Sequence, residues 1–146
     1  MIFGRELEQK ADVQIRTVLI VEDEPLVAFD NEHALVHAGY DVAATVNSYA
    51  HGVQVIDEGG IDLVLADVRL AGDSSGIDLA RHAHGKGVPV LFVTGHCPLD
   101  AQDVAVGCLA KPYIPRILLA AIKAVEASLA GQRPGRTPRG LTLFGG

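Results

Sequence analysis

No apolar run in these 146 residues reaches the length needed to cross a bilayer, which excludes a helical membrane anchor within them. The first sixteen residues (MIFGRELEQKADVQIR) carry too much charge for a secretory signal, so a cytoplasmic location is the expectation. Cysteine is scarce. Cys97 and Cys108 have no metal-ligand spacing, and in a reducing compartment both are expected as free thiols. No internal repeat is present, which excludes a solenoid or propeller. The last sixteen residues (GQRPGRTPRGLTLFGG) lack any acid and hold three of the twelve basic side chains. The preceding 130 residues therefore set nine bases against eighteen acids, a net −9. An acidic body repels nucleic acid and the membrane surface, so neither DNA nor membrane is expected as a partner.

What is present suits one globular domain. Hydrophobic residues make up 49% and charged residues 21%, a balance that excludes global disorder. The pattern alternates strand and helix from residue 17 onward. Apolar runs at 17–22, 41–46, 61–66, 88–93 and 106–110 predict five strands. Helices are predicted between and after them. One runs from Pro25, in its first turn, to about Ala38, with Gly39 closing it. Ser48 caps a second over about 49–58, and Gly59-Gly60 ends it. A third covers about 76–86, and a last one about 113–130 with Ile114, Leu118, Ala121, Ile122 and Val125 on one stripe. Such alternation implies an α/β, three-layer fold around a parallel sheet. Residues 1–16 read as an N-terminal extension, 17–130 as the domain, and 131–146 as a disordered Arg/Pro/Gly tail.

The polar residues that end these strands carry the chemistry. Glu22 and Asp23 follow the first strand, Asp67 the third, Thr94 the fourth and Lys111 the fifth. Strand ends of a parallel sheet share one edge, where ligands bind. Three carboxylates gathered there repel unless a cation offsets them, and an oxygen-only donor set suits Mg²⁺. An ammonium beside them suits a phosphoryl group. Each feature has a plainer reading alone: Glu22-Asp23-Glu24 as a solvated helix start, Thr94-Gly95 as a turn. His33 and His37, four apart on a helix, lack a third metal ligand and read as exposed, as do His82 and His84.

Taken together and in register, these positions resemble the receiver domain of bacterial two-component response regulators. The resemblance implies a flavodoxin-like (βα)5 fold with a five-stranded parallel sheet. It also implies that Asp67 is the phosphoacceptor attacking a phosphohistidine on a sensor histidine kinase. Asp23 would ligate Mg²⁺ directly, Glu22 would hold a metal-bound water, and the backbone carbonyl of Arg69 would complete the sphere. Lys111, before a cis proline, would neutralise one phosphoryl oxygen, and Thr94 would donate a hydrogen bond to another. Phe92-Val93-Thr94-Gly95 is further similar to the start of the FAT GUY motif, which implies kinases of the HWE/HisKA2 class and a place in stress or light signalling.

Departures from the family pattern bear on output. Cys108 stands three before the lysine, where many receivers carry a switching aromatic ring. Thr94 and Lys111 are 17 residues apart, several fewer than usual, so a fourth helix is expected to be short or mobile. His96-Cys97 replaces the hydrophobic residue and tyrosine that would extend the motif. The leading expectation is a stand-alone receiver that promotes its own phosphorylation and dephosphorylation. It would be no ordinary enzyme, and would signal by protein contact or serve as a phosphate sink. The alternative is a phosphorylation-independent interaction module that regulates a histidine kinase. A metal-dependent phosphatase is disfavoured because Asp67-Val68-Arg69 puts arginine where such enzymes place a second acid.

Overall fold

Alternation along the strands sorts the apolar side chains into two layers. The computed structural model describes residues 13–70, 72, 75–133 and 135–145. Its strands are β1 (Thr17–Val21), β2 (Asp41–Val46), β3 (Leu63–Ala66), β4 (Val90–Thr94), β5 (Gly107–Ala110) and β6 (Leu141–Leu143). They lie in the order β2-β1-β3-β4-β5-β6. Val18, Ile20, Leu63, Leu65, Leu91 and Val93 face one layer, with Leu118, Ile122 and Val125 from the last helix. Leu19, Val21, Val64, Ala66, Phe92 and Cys108 face the other, against Ile56, Leu79 and Ala83. Both faces are dry, which is why the central strands read as continuous apolar runs.

Among the described residues four helices cover these faces: α1 (Pro25–His37), α2 (Tyr49–Glu58), α3 (Gly76–Gly85) and α4 (Pro115–Leu129). Proline occupies the first turn of α1 and of α4, where its missing N–H costs nothing. Ser48 caps α2, accepting from the His51 N–H. Ser75 and Asp78 form a reciprocal capping box on α3. The predicted helix start at Tyr113 moves to Pro115, which leaves Tyr113 in the turn beside Lys111.

Four expectations need correction. First, the C-terminal segment expected to be disordered carries a strand: Leu141–Leu143 pairs antiparallel with β5, so among the described residues the sheet has six strands and one reversed edge. Without it β5 would be an edge strand with unpaired backbone groups. Gly140, at φ +84°, lets the chain turn back. A Cβ on Gly107 would lie 2.6 Å from the Thr142 carbonyl, so that glycine admits β6. Leu141 is buried, and Phe144 packs on the second layer. Second, the segment expected as an N-terminal extension is not wholly separate from the core. Ile15 is buried, and its N–H donates to Glu126 Oε2 at 2.7 Å, while residues 1–12 of the expected extension lie outside the described residues. Third, no helix forms between β4 and β5; the connection holds only turns, pinned by buried Ala101 and Val104. Fourth, the cysteines are not free thiols: Cys97 and Cys108 form a disulfide, with Cα atoms 5.9 Å apart. The folded chain brings the loop after β4 over the middle of β5, and sequence spacing could not show that proximity.

Removing the Leu141 side chain tests the sixth strand. Leu141→Ala should cost about 2 kcal/mol, the low end for a buried leucine, read as a shift in urea midpoint. A change within about 0.5 kcal/mol is what an unattached tail would give.

Candidate functional site

Three of the polar residues at the sheet's loop edge are each fixed by one more rung of the ladder they leave. The Glu22 N–H donates to the Val46 carbonyl at 2.9 Å, Asp67 N–H to Val21 at 3.0 Å, and Lys111 N–H to Thr94 at 2.8 Å. The backbone therefore holds these residues before any side-chain contact is counted. Among the described residues, Glu22, Asp23 and Asp67 form the one group of three whose ligand oxygens all lie within 4.8 Å of one another.

Lys111 organises the side chains. Its Nζ donates to Asp67 Oδ2 at 2.8 Å and to Glu24 Oε2 at 3.3 Å. It also stands 2.8 Å from Glu22 Oε1, close enough to pair with it but without hydrogen-bond geometry, so that buried oxygen keeps unused acceptor capacity. Glu22 Oε2 accepts the Glu24 N–H at 3.1 Å, and Asp67 Oδ1 accepts the Arg69 N–H at 3.2 Å. Glu22, Asp67 and Thr94 are buried, whereas Asp23 and the Arg69 side chain are exposed.

Crowding sets the protonation. Burial, only partly opposed by Lys111 and reinforced by Asp67, raises the Glu22 carboxyl to about 7. Burial pushes Asp67 upward too, but hydrogen bonds from Lys111 and the Arg69 N–H, with the neighbouring Glu22 carboxyl, outweigh it and hold Asp67 below the usual carboxylate range. Lys111 resists the lowering effect of burial because Asp67 and Glu22 hold its proton, so it stays charged. One ammonium thus serves two buried carboxyls, and the pair resolves its repulsion by keeping a proton on Glu22.

Asp67, Lys111 and Glu24 face a cavity of about 660 Å³ that Arg69, Thr94, Gly95, His96, Asn31 and Tyr113 also line, while Glu22 and Asp23 line a second one with Thr45, Asn47 and His51. A divalent cation suits the donor set. Three carboxylate oxygens converge, one oxygen lacks a hydrogen bond, and the site has more acid than Lys111 neutralises. Sequence reasoning named Glu22, Asp23, Asp67, Thr94 and Lys111, and the fold brings all five to this edge.

Other features were missed. Glu24, the N-cap residue of α1, reaches Lys111. Tyr113 Oη donates to buried Asn31 Oδ1 at 3.0 Å, tying the lysine turn to α1, and burial lifts the Tyr113 hydroxyl to about 12 despite that bond. Gly76 is required sterically: a Cβ there would collide with the Asp67 carbonyl oxygen. The Gly-initiated helix was legible, but the close approach was not. The helix histidines singled out from the sequence do not line this cavity. His33 and His37 are exposed with rings stacked 5.1 Å apart, while His82 pairs with Asp57 at 2.7 Å, joining α3 to α2.

A family model described as the response regulator receiver domain matches residues 18–123. The Phyllosphere-induced regulator PhyR of Methylorubrum extorquens is 36% identical over 95 residues, 64% of this chain and 34% of that protein. The Phosphate regulon transcriptional regulatory protein PhoB of Pseudomonas aeruginosa is 34% identical over 119 residues, 75% of this chain and 51% of that one. The chain thus spans about half or less of these relatives' own length. A CheY-like receiver domain protein from Methanospirillum hungatei superposes with TM-score 0.71 at 26% identity, covering 81% of this chain and 98% of that one. A response regulator from Chloroflexus aurantiacus gives TM-score 0.67 at 30% identity, with 78% and 99% covered.

The raised Glu22 carboxyl predicts a pH signature. The folded state holds that proton up to about 7, whereas the free side chain releases it near 4.5. Stability of the metal-free protein should therefore fall as pH rises between those values. Glu22→Gln, which mimics the protonated form, should flatten that slope in urea titrations run across the window. A wild-type slope shared unchanged by Glu22→Gln would refute the assignment.

Proposed function

Because the chain belongs to the response regulator receiver domain family, we propose that Asp67 accepts a phosphoryl group from a sensor histidine kinase in a Mg²⁺-dependent reaction. The observation that carries this reading is the 2.8 Å contact of Lys111 with Asp67 inside the three-carboxylate cluster. A buried carboxylate held ionised is a nucleophile in waiting. Its oxygen attacks phosphorus, the N–P bond of the phosphohistidine breaks, and the imidazole departs with the bond's electron pair. The product is an acyl phosphate on Asp67.

The residues act by placing and neutralising charge, since phosphoryl transfer leaves little covalent work to the protein. Lys111 faces the growing negative charge on one phosphoryl oxygen. Thr94, held beside Lys111 by the β4–β5 pairing, donates to another. Asp23, Asp67 and the Arg69 carbonyl would hold Mg²⁺, with Glu22 orienting one of its waters; the ion supplies further neutralisation when bound. Because Glu22 must give up its proton for that role, Mg²⁺ should bind more tightly as pH rises through about 7. The chain itself supplies the chemistry of gaining and losing the phosphoryl group. Cytoplasmic residence fits a kinase partner, and no helix among the described residues is long and apolar enough to cross a membrane. Phe92-Val93-Thr94-Gly95 favours a kinase of the HWE/HisKA2 class.

Asp67→Ala should abolish labelling by a phosphohistidine kinase or a small phosphodonor, because Asp67 is the buried strand-end carboxylate that Lys111 hydrogen-bonds and keeps ionised, whereas burial raises the carboxyl of neighbouring Glu22. Hydroxylamine-sensitive label persisting in that variant would sink the assignment. Asp23→Ala should keep the fold and weaken Mg²⁺ binding by about tenfold or more, measured by isothermal titration.

Arg69 and His96 line the cavity with exposed side chains and stand over the approach of water to an acyl phosphate. Replacing both with alanine should shorten the phosphoryl half-life without slowing transfer from the kinase. A half-life equal to wild type or longer shows that neither residue shields the phosphoryl group.

A further inference from the structure

We infer that Cys97 and Cys108 form a reversible dithiol/disulfide site that controls whether the segment following Thr94 can respond to the phosphoryl group, an inference that rests on the phosphoacceptor reading above. Both positions lie between Thr94 and Lys111. Cys97 lies three residues after Thr94, and Cys108 three before Lys111. Cys108 is fully buried in the sheet, opposite Phe92 in the β4–β5 register. The bond therefore ties a segment without helix or strand to the rigid body at the one strand that also carries the lysine turn. Apart from that bond, buried Ala101 and Val104 and the strand pairing that resumes at Val106 hold the segment. Its first residues, Gly95 and His96, are exposed over the cavity.

The chemistry follows from exposure. Cys97 is half-buried and Cys108 is not accessible, so an incoming thiolate reaches the Cys97 sulfur. That attack forms a mixed disulfide on Cys97, breaks the Cys97–Cys108 bond, and sends the electron pair out with Cys108 as thiolate. The second thiol of a dithiol reductant then displaces Cys97. The protein gains two electrons and two protons, and the reductant becomes a disulfide; closure is the reverse, with an oxidised dithiol as acceptor. In a reducing compartment such bonds are transient and redox-sensing rather than structural, which favours a switch. Closed, the bond holds the segment in its unphosphorylated path. Open, the segment is free to reorganise when Thr94 engages the phosphoryl group.

The full chain is examined oxidised, reduced with dithiothreitol, and as Cys97→Ser, which leaves the buried Cys108 in place. Thiol trapping should find no free thiol in the oxidised form and two after reduction. Amide exchange across 95–104 should be about tenfold or more faster in the reduced protein and in Cys97→Ser than in the oxidised one, with the rest of the sheet unchanged. A small phosphodonor with Mg²⁺ should label all three, but should change exchange in that segment only in the two open forms. Equal exchange in oxidised and reduced unphosphorylated protein, or free thiols that never close, overturns the switch. Labelling with the same response in every form overturns it as well. Absence of label from all three contradicts the phosphoacceptor reading instead, and the exchange rates of the unphosphorylated forms still decide the redox site.

Discussion

Lys111 Nζ stands 2.8 Å from Asp67 and from Glu22, and 3.3 Å from Glu24. Two of those carboxyls are buried, and each alone would be costly to ionise there. The ammonium keeps Asp67 charged, and the surplus negative charge is relieved by a proton on Glu22 or by a divalent cation. This balance depends on the fold at several levels. Parallel strands β1, β3 and β5 must end on one edge. The turn after β5 must aim Lys111 inward, and the Tyr113–Asn31 bond anchors that turn to α1. Gly76 must let α3 begin against the Asp67 carbonyl.

The same edge joins stability to function. Side chains that crowd charge together lower the stability of the metal-free protein, and a cation or phosphoryl group then finds groups already in place. Binding and phosphorylation act on residues whose backbones are fixed by ladder hydrogen bonds, so the rearrangement must come from less constrained parts. The turns between β4 and β5 are the candidate: they follow Thr94 directly, lack a helix, and are held by two buried residues and one disulfide. The antiparallel β6 covers the neighbouring edge of β5, which gives this side of the sheet a surface unlike that of five parallel strands alone.

Most of the layered fold was legible because its code is local. Continuous apolar runs such as TVLIV mark strands dry on both faces, and Pro25, Ser48 and Gly39 mark helix ends. The site was legible because strand-end positions converge by topology, so Glu22, Asp23, Asp67, Thr94 and Lys111 are grouped by the strand order alone. Contacts set by tertiary proximity were not legible. LTLF at 141–144 alternates as a strand does, but the surrounding Gly, Pro and Arg suggested disorder, and only the open edge of β5 explains its pairing. Cys97 and Cys108 gave no sequence sign of meeting. Asn31 looked like an ordinary helix polar residue until burial placed it under Tyr113.

Carbon NMR titration of the Glu22 and Asp67 carboxyls, with and without Mg²⁺, probes the charge balance most directly. In the metal-free protein Glu22 should titrate near 7 and Asp67 below the usual carboxylate range. Saturating Mg²⁺ should move the Glu22 titration well below that value, because the cation takes over the role of the proton. Two carboxyls that both titrate near their ordinary values, and that Mg²⁺ leaves unmoved, would contradict the account.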